Sequence, residues 1–172
     1  IAACAEEGAQ LAEVDISVSK DGIAVLSHDK TPYRVVNEPH WGGAYSIKSG
    51  ARTIDAMTFA ELQKYWLVRN EFSGSSTPHK IPSLEEALQI AKACGIHLQL
   101  DSKNKASATA VIRAIENQDA WQYVLLGPTF SSSALHNITE RVATSLKTEK
   151  RETDSNKILE EKQVRVVLSY DN

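Results

Sequence analysis

Cysteine is scarce in this chain, with only Cys4 and Cys94 among 172 residues. That excludes a disulfide framework, and the two positions lack any metal-ligand spacing. Whether they form a single pair is left open by the sequence. Long apolar runs are also missing. No stretch approaches the ~18 residues of a membrane-crossing helix, and the mean hydropathy is −0.30. There is no basic excess either: the net charge is −3 and the pI about 6.0. This argues against nucleic-acid binding, which leaves a basic footprint. The chain opens on Ile1 with no basic region ahead of an apolar core, so it shows no signal peptide, which slightly favours the cytoplasm. What is present is ordinary for a folded domain. Hydrophobic residues make up 42% and charged residues 24%, and aliphatic side chains recur throughout, which excludes disorder. A single domain of this length buries roughly 70% of its unfolded surface and needs no covalent staple.

Strands and helices alternate along the chain. Residues 1–8 read as the tail of a helix closed by Gly8. From Leu11 to Ser19, Ala12, Val14, Ile16 and Val18 take one face of a strand, and Glu13, Asp15 and Ser17 the other. Asp21-Gly22 signals a hairpin turn into a second strand at 23–27. No period is visible over 29–55, which reads as a long loop or small subdomain. Capping boxes at Thr58–Glu61 and Ser83–Glu86 open helices, the first running to about Trp66, the second ending at Gly95 with Leu84, Ala87, Leu88 and Ala91 as its apolar stripe. The pattern then predicts strands at 96–100 and 121–126 and a helix at 106–117 with Val111, Ile112 and Ile115 inward. Beyond these it predicts helices at 131–141 and 154–162, a short strand at 143–146 and a strand at 164–169. Strands separated by helices mean βα units and a parallel sheet.

In parallel α/β folds ligands bind at the carboxyl ends of strands. The first strand carries Glu13 and Asp15 on one face, with no basic partner nearby in sequence. Two such carboxylates repel unless a cation lies between them, and a hard divalent ion takes oxygen donors of this kind. The bland reading is a solvent-facing stripe. His28, at the end of the second strand, suits general acid or base work, or is simply a satisfied loop histidine. On the strand at 96–100 and just beyond, Gln99, Asp101 and Lys103 share a face, so Asp101 could add a third carboxylate and Lys103 could neutralise a phosphate.

Taken in order, these features resemble the glycerophosphodiester phosphodiesterase family. Its pattern runs Gly-Ala-x-x-x-Glu-x-Asp, Thr/Ser-Lys-Asp-Gly, Val-x-x-His-Asp, a later Arg, Glu-Leu, Ile-Pro-Thr/Ser-Leu-Glu-Glu and Glu-x-Lys. Here the matching residues are Gly8, Ala9, Glu13 and Asp15, then Ser19 to Gly22, then Val25, His28 and Asp29. Arg34, Glu61-Leu62, Ile81 to Glu86, and Asp101 with Lys103 follow. The match covers roughly residues 1–103 and is specific as a set.

The resemblance implies a (β/α)8 TIM-type barrel with a small insertion after the second strand, at 29–56, in a single domain over 1–172. It implies hydrolysis of a small-molecule glycerophosphodiester to an alcohol and glycerol phosphate, with a divalent cation such as Mg2+ or Ca2+. By position, Glu13, Asp15 and Asp101 would hold the metal, His28 would be an acid/base residue, and Lys103 and Arg34 would contact substrate. Attack could come from the glycerol hydroxyl or from water. Two departures stand out. Asp101 occupies a position where the family usually has Glu, and the His-Arg-Gly motif of the family's first strand is absent. That motif carries a second acid/base histidine; His40, His79, His97 and His136 do not sit in its context and read as loop and surface residues. Two alternatives therefore stand beside the hydrolase: a barrel-derived binding or regulatory module without activity, and a phospholipase-D-like phosphodiester-cleaving barrel. Since a (β/α)8 barrel needs about 250 residues, the expectation is a partial barrel lacking its first strand and its last two. Trp41, Gly42, Gly43 and Tyr45 could touch a head group. Asn137-Ile138-Thr139 reads as a chance glycosylation triplet, and Lys147, Lys150 and Arg151 as a solvated face.

Overall fold

Alternating side chains make Leu11–Val18 a strand, β1, with one face built for burial. The computed structural model describes residues 1–36, 52–67, 77–103, 107–126 and 165–166. Ahead of β1 lies a short helix, α1 (Ala2–Glu6), which ends at Gly8 as the sequence predicts. After β1 the chain reverses through Lys20, Asp21 and Gly22. Gly22 N–H donates to Ser19 O at 2.9 Å and Ser19 N–H to Ile23 O at 2.9 Å, with Gly22 at φ 80°. This is the three-residue hairpin in which glycine takes the left-handed position. Strand β2 (Ala24–Leu26) returns antiparallel, pairing Ile16 with Leu26 and Val18 with Ala24.

Strand β3 (His97–Ser102) lies parallel to β1 on its other side, followed by β4 (Val124–Leu126) and β5 (Arg165–Val166), both parallel. The sheet order is β2-β1-β3-β4-β5. The crossovers supply helices α3 (Leu84–Cys94) and α4 (Ser107–Asn117). Their apolar stripes, Leu84, Ala87, Leu88 and Ala91 on α3 and Val111, Ile112 and Ile115 on α4, pack with Ile16, Val18, Leu98 and Leu100 in the main core. Each of these large aliphatic side chains, when fully buried, stabilises by ~1.5–3 kcal/mol. The ends of the two helices are tied together: Asn117 Nδ2 donates to Glu85 Oε1 at 2.7 Å, and Lys92 Nζ to Gln118 O.

A second, smaller core gathers Val25, Val36, Ile54, Met57, Leu62 and Ile81. Strand alternation divides β2 between the two cores, Ala24 into the first and Val25 into the second. Both predicted capping boxes are present. Thr58 opens α2 (Phe59–Leu62) and Ser83 opens α3, each with reciprocal hydrogen bonds to the glutamate three residues on. Arg52 also clamps the Glu61 carboxylate, at 2.9 and 3.1 Å. That contact, with the Thr58 N–H, lowers the Glu61 pKa to about 2.

Two predicted elements are shorter by a turn or nearly so. Helix α2 stops at Leu62 instead of near Trp66, because Leu67 is drawn into an extended bridge with Val36 and hydrogen bonds with His79 and Thr77. The strand predicted from Trp121 begins only at Val124, because Trp121–Tyr123 forms a 3-10 turn, closed by Tyr123 N–H on Ala120 O. The predicted elements at 131–141, 143–146 and 154–162 lie outside the described residues. Among the described residues no helix is long and apolar enough to cross a membrane. Both cysteine thiols are free and exposed.

Candidate active site

The face of β1 and β3 that turns away from α3 and α4 carries the acids. Parallel register sets Asp15 beside Asp101 and Glu13 beside Gln99. Three carboxylates therefore converge: one oxygen from each of Glu13, Asp15 and Asp101 can be chosen so that all lie within 4.8 Å of one another. Lys103 completes the group. Its Nζ lies 2.8 Å from Asp15 Oδ1 and 2.7 Å from Asp101 Oδ2. Its backbone N–H donates to Ile16 O at 2.9 Å, which extends the β1–β3 ladder beyond Ser102 and fixes where the lysine side chain starts.

The electrostatics follow from this crowding. Partial desolvation of this exposed side chain, then the charges of Asp15 and Asp101, push the Glu13 carboxyl above its ordinary value. Hydrogen bonds to Asp101 and Asp15 push the Lys103 ammonium above its own. Three carboxylates and one ammonium leave a formal charge of minus two. The donors are all oxygen, anionic and adjacent, and Glu13 carries repulsion that another cation would relieve. This set fits a hard divalent ion.

Asp15 also opens onto a cleft of about 370 Å³, lined by Val14, Leu26, Ser27, His28, Asp29, Arg34, Val35 and Leu67. The β2 strand end places His28 here: Ser27 N–H donates to Asp15 O at 2.9 Å, and the next residue projects past the ladder. His28 Nδ1 lies 2.7 Å from Asp29 Oδ1. A turn at Pro32, closed by Val35 N–H on Pro32 O, brings Arg34 back so that its Nε donates to Asp29 Oδ2. Arg34 first, and His28 next, hold the Asp29 carboxyl below its ordinary value.

The structure thus brings Glu13, Asp15, Asp101 and Lys103 into one cluster, and His28 and Arg34 into the cleft that shares Asp15. It adds Asp29, which sequence reasoning did not select, although its place directly after a candidate acid/base histidine was a usable signal. His97 stands at the opposite end of β3 from Asp101, with Nδ1 3.3 Å from Gln10 O. His79 is exposed in a loop. Trp41, Gly42, Gly43, Tyr45, His40, His136, Asn137, Lys147, Lys150 and Arg151 lie outside the described residues.

The sequence profile of the Glycerophosphoryl diester phosphodiesterase family matches residues 1–143. The chain belongs to that family. Its backbone is similar to the glycerophosphodiester phosphodiesterase of Agrobacterium tumefaciens at TM-score 0.61 and 17% identity, over 86% of this chain and 55% of that one. It is similar to a phosphodiesterase of Oleispira antarctica, solved in complex with the product sn-glycerol-3-phosphate, at TM-score 0.57 and 20% identity, over 94% of this chain and 64% of that one. A Parabacteroides distasonis glycerophosphoryl diester phosphodiesterase gives TM-score 0.51 at 21% identity, over 92% and 60%. No curated protein sequence matches the chain. At identities this low the likeness establishes the fold alone: α/β, of the (β/α)8-barrel type, with the parallel strands β1, β3, β4 and β5 forming an arc of its sheet. The chain spans little more than half the length of the Agrobacterium structure.

Proposed function

We propose that this protein cleaves glycerophosphodiesters to an alcohol and glycerol phosphate with the help of a divalent cation, Mg2+ or Ca2+. The observation that carries the reading is the convergence of Glu13, Asp15 and Asp101 from two neighbouring parallel strands, beside a cleft holding His28 and Arg34. The carboxylates would hold the cation, which when bound polarises phosphoryl oxygen and lowers the pKa of a coordinated hydroxyl. Lys103 and Arg34 supply positive charge to the phosphodiester anion, Lys103 as a point charge and Arg34 as a planar fork. His28, exposed at the cleft mouth, exchanges a proton with the attacking or departing oxygen. Residues 29–56 form an insertion within one domain in this reading, with Val36 and Ile54 anchoring its flanks in the second core.

The test is hydrolysis of glycerophosphocholine by the purified protein, with and without a chelator, and by His28→Ala. The expected result is loss of activity on chelation, recovery with added cation, and a fall of roughly 10²–10⁴-fold in kcat for the histidine variant. Activity that survives both treatments overturns the mechanism. An unmodified protein that binds the diester without cleaving it supports a binding module instead.

A further inference from the structure

Asp29 divides its carboxylate between the two functional side chains of the cleft wall. Oδ1 faces His28 Nδ1 at 2.7 Å, and Oδ2 accepts from Arg34 Nε. Its own backbone is held in turn, since Ser27 Oγ donates to Asp29 O at 3.2 Å and Ser27 N–H to Asp15 O. The backbone that carries the carboxylate is therefore held at the end of β2, while the groups the carboxylate meets are long or exposed. The side chains of His28 and Arg34 are 62% and 41% exposed, against 30% for Asp29. Exposed side chains of this kind sample several rotamers, and fixing them in advance lowers the cost of ordering them around a substrate.

We propose that Asp29 is a positioning residue that holds His28 and Arg34 as one unit, setting the histidine tautomer and the plane of the guanidinium. The inference rests on reading the cleft as the phosphodiester site. An ionised acceptor at Nδ1 selects the neutral tautomer that carries its proton on Nδ1 and leaves the lone pair on Nε2. Nε2 is then the nitrogen that takes a proton from, or gives one to, a reacting oxygen. Engaging Arg34 through Nε turns the guanidinium plane to a fixed angle at the cleft wall. One carboxylate thus couples proton transfer with anion binding. A purely structural role, bracing the turn at 29–35, would leave the tautomer and the kinetic constants of a folded variant unchanged.

Two variants separate these roles. Asp29→Ala removes both contacts. Asp29→Asn keeps an acceptor oxygen for Nδ1–H but removes the charge that holds Arg34. The tautomer is read from the ring 15N shifts of His28 at a pH where the ring is neutral. The expected result is the Nδ1–H form in the unmodified protein and in Asp29→Asn, and a swing towards Nε2–H in Asp29→Ala. In glycerophosphocholine hydrolysis, Asp29→Ala should lower kcat by up to about 100-fold and raise KM. Asp29→Asn should raise KM while keeping most of kcat. An Nε2–H histidine in the unmodified protein, or a tautomer untouched by Asp29→Ala, overturns the proposal. So does a folded Asp29→Ala protein with unaltered kcat and KM. The tautomer measurement needs no turnover. If the protein cleaves no diester yet the tautomer moves as expected, the hydrolase reading fails and the clamp on His28 stands.

Discussion

At the scale of single residues, the acid cluster was partly written in the sequence. Strand alternation is local, so Glu13 and Asp15 had to share a face once β1 formed. That Asp101 would lie beside Asp15 depended on strand order and register, which only the assembled sheet supplies. The same holds for Lys103, whose spacing suggested a group aimed at phosphate but whose ammonium bridges Asp15 and Asp101. Glu13 carries the consequence. Its carboxyl is held above the ordinary value of 4.5, so the folded chain keeps that proton more tightly than the unfolded one. Stability is therefore lost as pH rises from the unfolded pKa through the raised folded pKa, and the loss persists at neutrality. Glu13→Gln should abolish that slope and stabilise the metal-free protein at pH 7. The gain should stay below ~1 kcal/mol, because the side chain is exposed and screened by solvent. Urea unfolding in a chelator at pH 4 and pH 7 measures it. A variant less stable than its parent at pH 7 would mean that Lys103 already neutralises the cluster.

At the scale of elements, the helices were the most legible part. Capping boxes and apolar stripes are short-range patterns, and α3 follows its pattern from Ser83 to Gly95. One boundary failed because distant partners decide it. Leu67, just past the predicted helix end, is held in extended backbone by Val36 and His79, neither near it in sequence, and the last predicted turn before it does not form. The end of α4 shows a local rule broken. Ala120 N–H donates to Ile115 O at 3.0 Å and Asp119 N–H to Glu116 O at 3.0 Å, the pattern of a left-handed helix cap. Gly95 fills that position on α3 with φ 68°, but on α4 the residue is Asp119, at φ 43°. A left-handed non-glycine residue costs roughly 1–2 kcal/mol, offset in part by the greater freedom glycine has when unfolded. Asp119→Gly should therefore stabilise by roughly 0.5–1 kcal/mol, seen as a higher urea midpoint at an unchanged slope. A destabilised variant would show that the aspartate side chain contributes more than its backbone strain costs.

At the scale of the molecule, the sheet places charge where packing alone would not. The helices take up one face of β1 and β3, and the carboxylates of Glu13, Asp15 and Asp101 are gathered on the other, with Lys103 too few by two charges to neutralise them. A divalent ion bound there would link two strands that are distant in sequence but adjacent in the sheet, so binding and folding must be coupled. An ion that binds only the folded chain stabilises it by about 2.7 kcal/mol at one hundred times its Kd. For a chain of this size each kcal/mol raises Tm by roughly 2–4 °C. Adding Mg2+ or Ca2+ to the chelator-treated protein should therefore raise Tm by roughly 5–10 °C at saturation, and excess chelator should reverse the rise. Amides of β1 and β3 should gain hydrogen-exchange protection along with it. Asp15→Asn should remove most of the shift, since Asp15 belongs to both the carboxylate cluster and the cleft. Asp101→Glu, which lengthens the third donor by one methylene, should change the concentration at which the shift appears and leave its reversal intact. If neither ion moves Tm at millimolar concentration, or if Asp15→Asn responds as the parent does, the three carboxylates are a surface cluster balanced by Lys103, and the cation must be struck from the mechanism.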